Sequence, residues 1–462
     1  MKKITQDFRT GASRAALMLL SAVLLAGSLS GCGLRETLEK LAGEGGTGEN
    51  GQTAASAVPE GDQNGGTADS PAAVSASSED FEENSDGGFL EQLARNPLNA
   101  DKYQDNIPDE ESLFRNAATD YFFYNQLTDE EKIIYDAMKT VAGHPESTEY
   151  HKRMEIAADP SSDAFKQEVN RAYDALIYDH PEMFWLREGS GSFTYYYLDS
   201  FHLGDQYAVM LQLTEPYQNY QAEMTAFNSA VDSFFSDIDT TQAAPWLALR
   251  IHDKLNSLVS YDWELADAVT DTGSASFDLS YSAYGALVAD SRGDANTALC
   301  DGYTYAYQYL LQQVGIPVVR VTGQAGKSAD DLQPHSWTVI SLDGEWYETD
   351  PTWDDIEPDL NSGDADQTIV QAAVSDTAYW NRVRHYMYDL TTEQISNYTA
   401  DDSYTYYITT DEYSGYAKFL DDSVHIRTTQ GEGEAQGDTL SWLAPTATGT
   451  TYTYDYLIQN GG

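Results

Sequence analysis

The chain has 462 residues, with 75 acidic against 25 basic side chains and a formal net charge of -50. So acidic a chain would repel a phosphate backbone, which excludes ordinary nucleic-acid binding. Its two cysteines cannot build a disulfide scaffold. The 41% of hydrophobic residues is enough for sizeable cores, and the length predicts two or three domains. Part of the chain is therefore expected to be globular.

The N-terminus has the features of an export signal. Four basic residues precede an apolar stretch over 15–29, which ends in Leu29-Ser30-Gly31-Cys32. A membrane-spanning helix needs about 20 apolar residues, so a cleaved signal fits better. The ending resembles the lipobox of bacterial lipoproteins. This resemblance implies a signal peptide over 1–31, lipidation of Cys32 and anchoring at the extracytoplasmic face of the bacterial cell membrane. An ordinary cleaved signal with a chance cysteine is the alternative.

The segment that follows is predicted to be a linker. Residues 44–88 consist mainly of Gly, Ser, Ala, Thr, Asn, Asp and Glu, with almost no large apolar side chain. Such a composition cannot bury enough surface to offset the chain entropy lost on folding. We therefore expect a lipidated Cys32 followed by a disordered acidic Gly/Ser tether over 32–100.

The region over 101–240 is predicted to be mostly helical, with some strand. A capping box begins at Thr128, and apolar residues then recur with the spacing of a helix. A second helix is predicted over 164–178. Apolar and polar residues alternate over 193–197 and over 207–213, as in two strands. No group of side chains in this region points to a particular chemistry.

A catalytic region is predicted over 241–360. It opens with a helix after Pro245, and another helix begins at Cys300, followed by the apolar stripe Tyr303, Ala306, Tyr307, Leu310 and Val314. At a helix N-terminus, the positive end of the macrodipole and the free N–H groups favour a thiolate. Cys300 is therefore a candidate nucleophile.

A β-hairpin is predicted around the Asp343-Gly344 turn, which has the residue types of a two-residue loop. The register of such a loop places Trp337 opposite Asp350. Because alternate residues of a strand share a face, His335 and Asp350 are diagonal neighbours whose side chains can meet. A bulge in either strand would reverse this arrangement.

These three side chains supply the parts of a thiol acyl-transfer triad: a nucleophile, a base and a carboxylate that orients the base. The region over 245–355 resembles a transglutaminase-like domain, part of the papain-like cysteine enzyme group. The resemblance rests on three blocks, which occur in the order and spacing typical of the family: Cys300-Asp301-Gly302-Tyr303, Pro334-His335-Ser336-Trp337 and Trp346-Tyr347-Glu348-Thr349-Asp350-Pro351-Thr352-Trp353-Asp354.

The resemblance implies an α+β fold in which a helix bearing the cysteine packs on an antiparallel sheet bearing the histidine and the aspartate. It makes Cys300 the nucleophile, His335 the general base and acid, and Asp350 the orienting carboxylate. The backbone N–H of Cys300 would be one oxyanion donor, and Tyr284 is a candidate for the second.

The function expected from these features is a membrane-anchored cysteine enzyme that transfers or hydrolyses acyl groups of peptide or Gln amides. Its partner would be a protein or peptide substrate, with cell-wall peptide as one candidate. The alternative is a non-catalytic adhesion or scaffold lipoprotein, since a fold does not guarantee activity. No His-Glu-x-x-His spacing and no Gly-rich phosphate loop occurs, so neither a metal nor a cofactor is predicted.

The region over 361–462 is predicted to contain a helix and a small β region. The predicted helix lies within 373–390, and the predicted strands are 404–408, 416–420, 424–428 and 452–458. The last strand would place Tyr452, Tyr454 and Tyr456 on one face. Such a row can stack on sugar rings, but aromatic residues are common in half-buried strands for packing alone.

Overall fold

The structure is a computed structural model that describes residues 74–76, 105–108, 112–113, 115, 121–186, 192–203, 205–272, 278–356, 367–409, 414–428, 430–431 and 442–461. The predicted signal peptide, Cys32 and nearly all of the predicted linker lie outside the described residues. Within the described parts of the chain, no helix has both the length and the apolar character needed to cross a bilayer.

The described residues form a mixed α+β structure. The helices are α1 (Asp129–Ala142), α2 (Asp163–Asp179), α3 (Tyr220–Phe235), α4 (Ala244–Leu258), α5 (Trp263–Thr272), α6 (Ala283–Leu287), α7 (Cys300–Gln313), α8 (Pro351–Asp354), α9 (Gln367–Ser375), α10 (Thr377–Val383), α11 (Thr392–Ser396) and α12 (Tyr454–Asn460). The strands are β1 (Val74–Ala76), β2 (His151–Ile156), β3 (Phe193–Leu203), β4 (Gln206–Leu213), β5 (Ser260–Tyr261), β6 (Thr297–Ala298), β7 (Val318–Gly326), β8 (Gln333–Leu342), β9 (Glu345–Thr349), β10 (Thr405–Thr409), β11 (Ser414–Lys418), β12 (Val424–Arg427), β13 (Gln430–Gly431) and β14 (Leu443–Ala444).

The N-terminal part of the described chain contains a four-stranded sheet in the order β1-β3-β4-β2. The predicted capping box of α1 is confirmed, because the Thr128 hydroxyl accepts from the backbone N–H of Glu131 and the Glu131 carboxylate accepts from the N–H of Thr128. Helix α2 and the pair β3 and β4 also form where they were predicted.

A second four-stranded sheet, in the order β12-β7-β8-β9, carries the candidate site. The hairpin register is confirmed: Leu342 pairs with Glu345 and Thr338 pairs with Thr349. Asp343 and Gly344 have φ values of 50° and 88°, which a type I′ turn requires. The ladder ends at Thr349, so the chain leaves the sheet just before Asp350 and enters α8.

Helix α7 packs against β7 and β8, and its apolar stripe is buried except for the half-buried Val314, which confirms that helix. Its first turn lies very close to the preceding chain. A Cβ atom on Gly302 would lie 2.5 Å from the carbonyl oxygen of Ser280, so the position accepts only glycine without rearrangement. The helix is followed by Gly315 in the left-handed region, with φ 75°. The glycine in the first turn thus holds Cys300 close against the segment around Ser280.

Two assignments in the C-terminal part differ from the sequence prediction. Strand β12 was assigned to a small C-terminal β region, but it pairs with β7 at the edge of the sheet that carries His335. The predicted strand over 452–458 is wrong, because this segment forms helix α12, capped by Thr453. Tyr454 and Leu457, three residues apart, are its buried residues, so the helical period prevails over the alternation of tyrosines.

Candidate active site

His335 and Asp350 meet as the hairpin register predicted. The His335 Nε2 and Asp350 Oδ2 atoms are 2.7 Å apart. Asp350 is also the N-cap of α8, and its Oδ1 accepts from the backbone N–H groups of Thr352 and Trp353 at 3.0 and 3.2 Å. One carboxylate oxygen therefore fixes the turn while the other fixes the imidazole.

Cys300 joins this pair from the N-terminus of α7. Its side chain interacts with His335 and contributes to the raised pKa of that ring. Since Nε2 of that ring is engaged by Asp350, Nδ1 is the nitrogen left for the sulfur. All three groups are buried, with exposed fractions of 2% for Cys300, 3% for His335 and 0% for Asp350. The structure thus brings the three predicted side chains together in the order thiol, imidazole, carboxylate.

Charge and burial act in opposite directions on this site. Burial lowers the pKa of His335, but the charge and hydrogen bond of Asp350, with a contribution from Cys300, outweigh it and raise the pKa to about 10. Burial raises the pKa of Asp350, whereas the charge and hydrogen bond of His335 and the hydrogen bond of His425 hold it well below its usual range. An imidazolium beside a carboxylate is therefore the favoured state at neutral pH.

This pair should leave a signature in the pH dependence of stability. The Asp350 contribution is present above the unfolded pKa of about 3.9 and is lost as pH falls below it. The His335 contribution is complete below the unfolded pKa of about 6.5 and is lost as pH rises toward the folded value. We expect the stability difference between the wild type and His335→Gln to shrink from pH 6.5 to pH 10, as measured by urea unfolding. A difference that is constant over this range would contradict the pairing.

His425 is a member of the site that sequence reasoning missed. Its Nε2 lies 3.0 Å from Asp350 Oδ2, the same oxygen that His335 engages. Burial lowers the pKa of His425, and the neighbouring His335 adds to this effect, so the ring is neutral and donates Nε2–H to Asp350. The predicted strand over 424–428 contained this histidine, but no sequence signal placed the strand beside β7.

Aromatic rings enclose the imidazole of His335. The Trp337 ring lies nearly parallel to it, at 6.0 Å between centroids, and the Trp353 ring lies at the same distance on another side. Trp353 also contacts His425 edge-on at 4.6 Å. Apolar walls of this kind exclude water and strengthen the hydrogen bonds among the charged groups inside.

The residue after the cysteine anchors the helix to the sheet. Asp301 Oδ1 accepts from the Ser336 hydroxyl at 2.6 Å and pairs with Arg320 at 2.8 Å. Arg320 is buried and lies over the rings of Tyr178 and Tyr305. These contacts fix the start of α7 relative to β7 and β8, and with it the position of the thiol.

Tyr284, the sequence candidate for the second oxyanion donor, packs against Phe184 and Phe227. The hydroxyl of another tyrosine, Tyr281, interacts electrostatically with the site. Burial raises its pKa, and the charges of Asp301 and Cys300 raise it further. The buried Tyr281 hydroxyl has no hydrogen-bond partner among the described residues. A hydroxyl that is unmatched among the described residues thus lies within electrostatic range of the thiol.

A cavity of about 220 Å³ adjoins the site, with Trp353 as the shared wall. Asp355 and Asp422 are among its polar residues, and its other aromatic walls are Tyr261, Trp263, Tyr386 and Phe419. This combination suits a substrate side chain with an apolar body.

Metal binding is a second chemical possibility for these side chains. The ligand atoms of His335, Asp350 and His425 lie within 4.8 Å of one another. However, the Asp350 carboxylate already accepts four hydrogen bonds, two from the histidines and two from the backbone. A metal ion would have to replace two of them, so the hydrogen-bonded arrangement describes the site better.

Comparisons with known proteins give little further support. No protein-family model matches the sequence, and no curated protein matches it. One solved structure that is similar is described as "Crystal structure of a TGase", with 14% identity over 48% of this chain. The chain spans 54% of that structure, and the TM-score is 0.23, too low to support an argument about fold or activity. The assignment of the site therefore rests on its geometry.

Proposed function

We propose that the protein is a membrane-anchored extracytoplasmic cysteine enzyme with a transglutaminase-like core, and that Cys300, His335 and Asp350 catalyse acyl transfer or hydrolysis of peptide or Gln amides. The observation that carries the proposal is the series of thiol, imidazole and carboxylate at the N-terminus of a helix, in which the imidazole is hydrogen-bonded to the carboxylate and the thiol interacts with the imidazole. Such a series is the general requirement for an activated nucleophile.

The reaction has two steps. The Cys300 thiolate attacks the amide carbonyl carbon, and the His335 imidazolium gives its proton to the leaving nitrogen as the C–N bond breaks. The product is a thioester on Cys300. Water or an amine then attacks the thioester and loses a proton to His335 as the C–S bond breaks, which releases the acid or the new amide and restores the thiolate beside the imidazolium. Asp350 holds the ring in place and stabilises its charge throughout.

The oxyanion formed in each step needs donors. The backbone N–H of Cys300 is one, because it belongs to the first turn of α7 and has no partner within the helix. The Tyr281 hydroxyl is the second candidate, since it is buried, unmatched among the described residues and within electrostatic range of the thiol. This replaces Tyr284 in that role.

Peptide conversion tests the proposal. The protein is incubated with Gln-containing peptides and with a cell-wall peptide digest, in the presence and absence of a fluorescent primary amine, and products are identified by mass. We expect deamidation or cleavage without the amine and amine incorporation with it, and neither with Cys300→Ala. If no peptide is converted and Cys300 reacts with electrophiles like an ordinary thiol, the adhesion or scaffold alternative takes its place.

The anchor is a separate part of the proposal and rests on the lipobox resemblance around Cys32. We expect Cys32→Ser to release the protein from the membrane fraction or to leave an unprocessed precursor, because the acylated thiol would be lost. Fractionation of cells that express either form measures this. Unchanged fractionation together with unchanged processing would refute the anchor and leave the proposal for Cys300 untouched.

A further inference from the structure

A second group of side chains that can bind a metal ion lies outside the candidate triad. His252 and Asp253 belong to α4, and His385 lies just beyond α10. One ring nitrogen of His252, a carboxylate oxygen of Asp253 and one ring nitrogen of His385 lie within 4.8 Å of one another. None of these residues takes part in the proposed acyl transfer, so the inference below is independent of that function.

The two ring nitrogens of His385 both face oxygen atoms, so Nε2 needs a proton or a metal ion between it and Asp253. Its Nδ1 lies 2.5 Å from the carbonyl oxygen of Asn381, which can only accept, so Nδ1 carries the hydrogen. Its Nε2 lies 2.5 Å from Asp253 Oδ1. In a neutral ring this nitrogen would present a lone pair to a carboxylate. Either a proton or a metal ion must lie between them.

His252 adds a second unmatched nitrogen. The side chain is 1% exposed, and its Nε2 lies 3.1 Å from Asp354 Oδ2. Its Nδ1 has no hydrogen-bond partner among the described residues and lies 3.7 Å from Asp253 Oδ1. A proton on Nδ1 could not make a normal hydrogen bond over that distance. A metal ion can engage both nitrogens at once, whereas a single proton cannot.

We propose that His252, Asp253 and His385 bind a divalent transition-metal ion of the zinc class. Two imidazole nitrogens and one carboxylate form a ligand set typical of such ions, with solvent as the fourth ligand. The hydrogen bond from His385 Nδ1 to the carbonyl oxygen of Asn381 is of the kind that usually fixes the tautomer of a ligating histidine.

The distances allow this with a small adjustment. Ligands about 2.0–2.1 Å from a tetrahedral ion lie roughly 3.3 Å from one another. The separation between His252 and Asp253 is 3.7 Å, and that between Asp253 and His385 must open by less than 1 Å. The nitrogens of His252 and His385 lie within 4.8 Å of one another and must also come to this distance. The Asp253 side chain is 46% exposed and can move by that amount.

The ion would stabilise the turn that supports Asp350. The backbone N–H of Met387 donates to Asp354 at 2.8 Å, and its carbonyl oxygen accepts from the N–H of Asp350 at 3.1 Å. His252 contacts Asp354 as well. A metal ion that joins His385 to α4 would therefore stabilise the contacts that hold α8. Metal binding should for this reason raise the melting temperature of the protein.

Zinc binding to the full chain tests the site. Equilibrium dialysis with elemental analysis is run in excess Mg²⁺, which occupies the many surface carboxylates. We expect the wild type and the control His151→Gln to retain one tight equivalent of Zn²⁺, and Asp253→Asn and His385→Gln to lose at least 10-fold in affinity. Zinc at 100 times its dissociation constant should raise the wild-type melting temperature by roughly 5 °C.

Variants of the buried His252 could fail to fold, whereas Asp253→Asn keeps the shape of a side chain that is partly exposed. Asp253→Asn therefore tests the site directly, and circular dichroism checks that it is folded. The proposal is overturned if the wild type retains no tight zinc. It is overturned equally if Asp253→Asn and His385→Gln bind as the wild type does, or if zinc is lost instead from Cys300→Ala or His425→Gln.

Discussion

Replacement of His335 by alanine is expected to slow the labelling of Cys300 by iodoacetamide about 100-fold at pH 6. An ordinary thiol, with a pKa of about 8.5, is only ~0.3% thiolate at that pH. In the wild type, the pKa of His335, raised to about 10, keeps a positively charged ring beside the sulfur across the neutral range. Without the ring, the thiol should react as an ordinary one.

The labelling rate is followed by mass spectrometry of the peptide that contains Cys300, between pH 4 and pH 10. His151→Ala serves as the matched control because this histidine lies on β2, away from the site. Circular dichroism excludes unfolding as the cause of any change. A wild-type rate that follows an ordinary thiol titration, with no response to His335→Ala, would mean that the thiol is not activated.

Asp350→Ala is expected to lower the free energy of unfolding at pH 7 by about 3–5 kcal/mol, the usual range when one partner of a buried ion pair is removed. The carboxylate is fully buried and accepts from both histidines and from two backbone N–H groups. Its loss leaves all four donors unmatched at a fully buried position. Urea unfolding of the wild type and the variant measures the change.

Asp421→Ala is the matched control for this effect. Asp421 pairs with Lys327 at the surface, where the two side chains are 60% and 46% exposed. Exposed pairs contribute about 0–1 kcal/mol, so this variant should unfold almost as the wild type does. Equal losses for the two variants would show that Asp350 is not the buried centre of a hydrogen-bonded network.

Local features of the sequence predicted much of the site. The Asp343-Gly344 turn fixed the hairpin register, and the register brought His335 to Asp350. The apolar stripe after Cys300 fixed the start of α7. These predictions succeeded because each depends on contacts between residues that are close in the chain, or on a period that only one secondary structure satisfies.

Features that depend on distant parts of the chain could not be predicted in this way. His425 reaches Asp350 only because β12 joins the edge of the sheet, a pairing with no local signal. The close approach of β12 and β7 is seen at Gly323, where a Cβ atom would lie 2.2 Å from the carbonyl oxygen of Ile426. Burial of the whole site, and the cavity beside Trp353, likewise arise from tertiary packing.

The tyrosines near the C-terminus show how two periods can coexist in a short segment. Tyr452, Tyr454 and Tyr456 alternate as in a strand, but Tyr454 and Leu457 also fit one face of a helix. The Thr453 side chain accepts from the backbone N–H of Tyr456 and starts that helix. The cap and the packing of Leu457 against the core decide the outcome, and neither is visible in the alternation alone.

Acylation of Cys300 by p-nitrophenyl acetate tests the central claim most directly, because it requires the nucleophile and its base but no knowledge of the natural substrate. Intact mass and p-nitrophenolate release are measured for the wild type, Cys300→Ser and His335→Ala. We predict a burst of about one equivalent with a hydroxylamine-labile acetyl group on Cys300 in the wild type, and no burst in either variant. A folded wild type that shows no burst, or that carries the acetyl group on another residue, would contradict the assignment of Cys300 as the nucleophile.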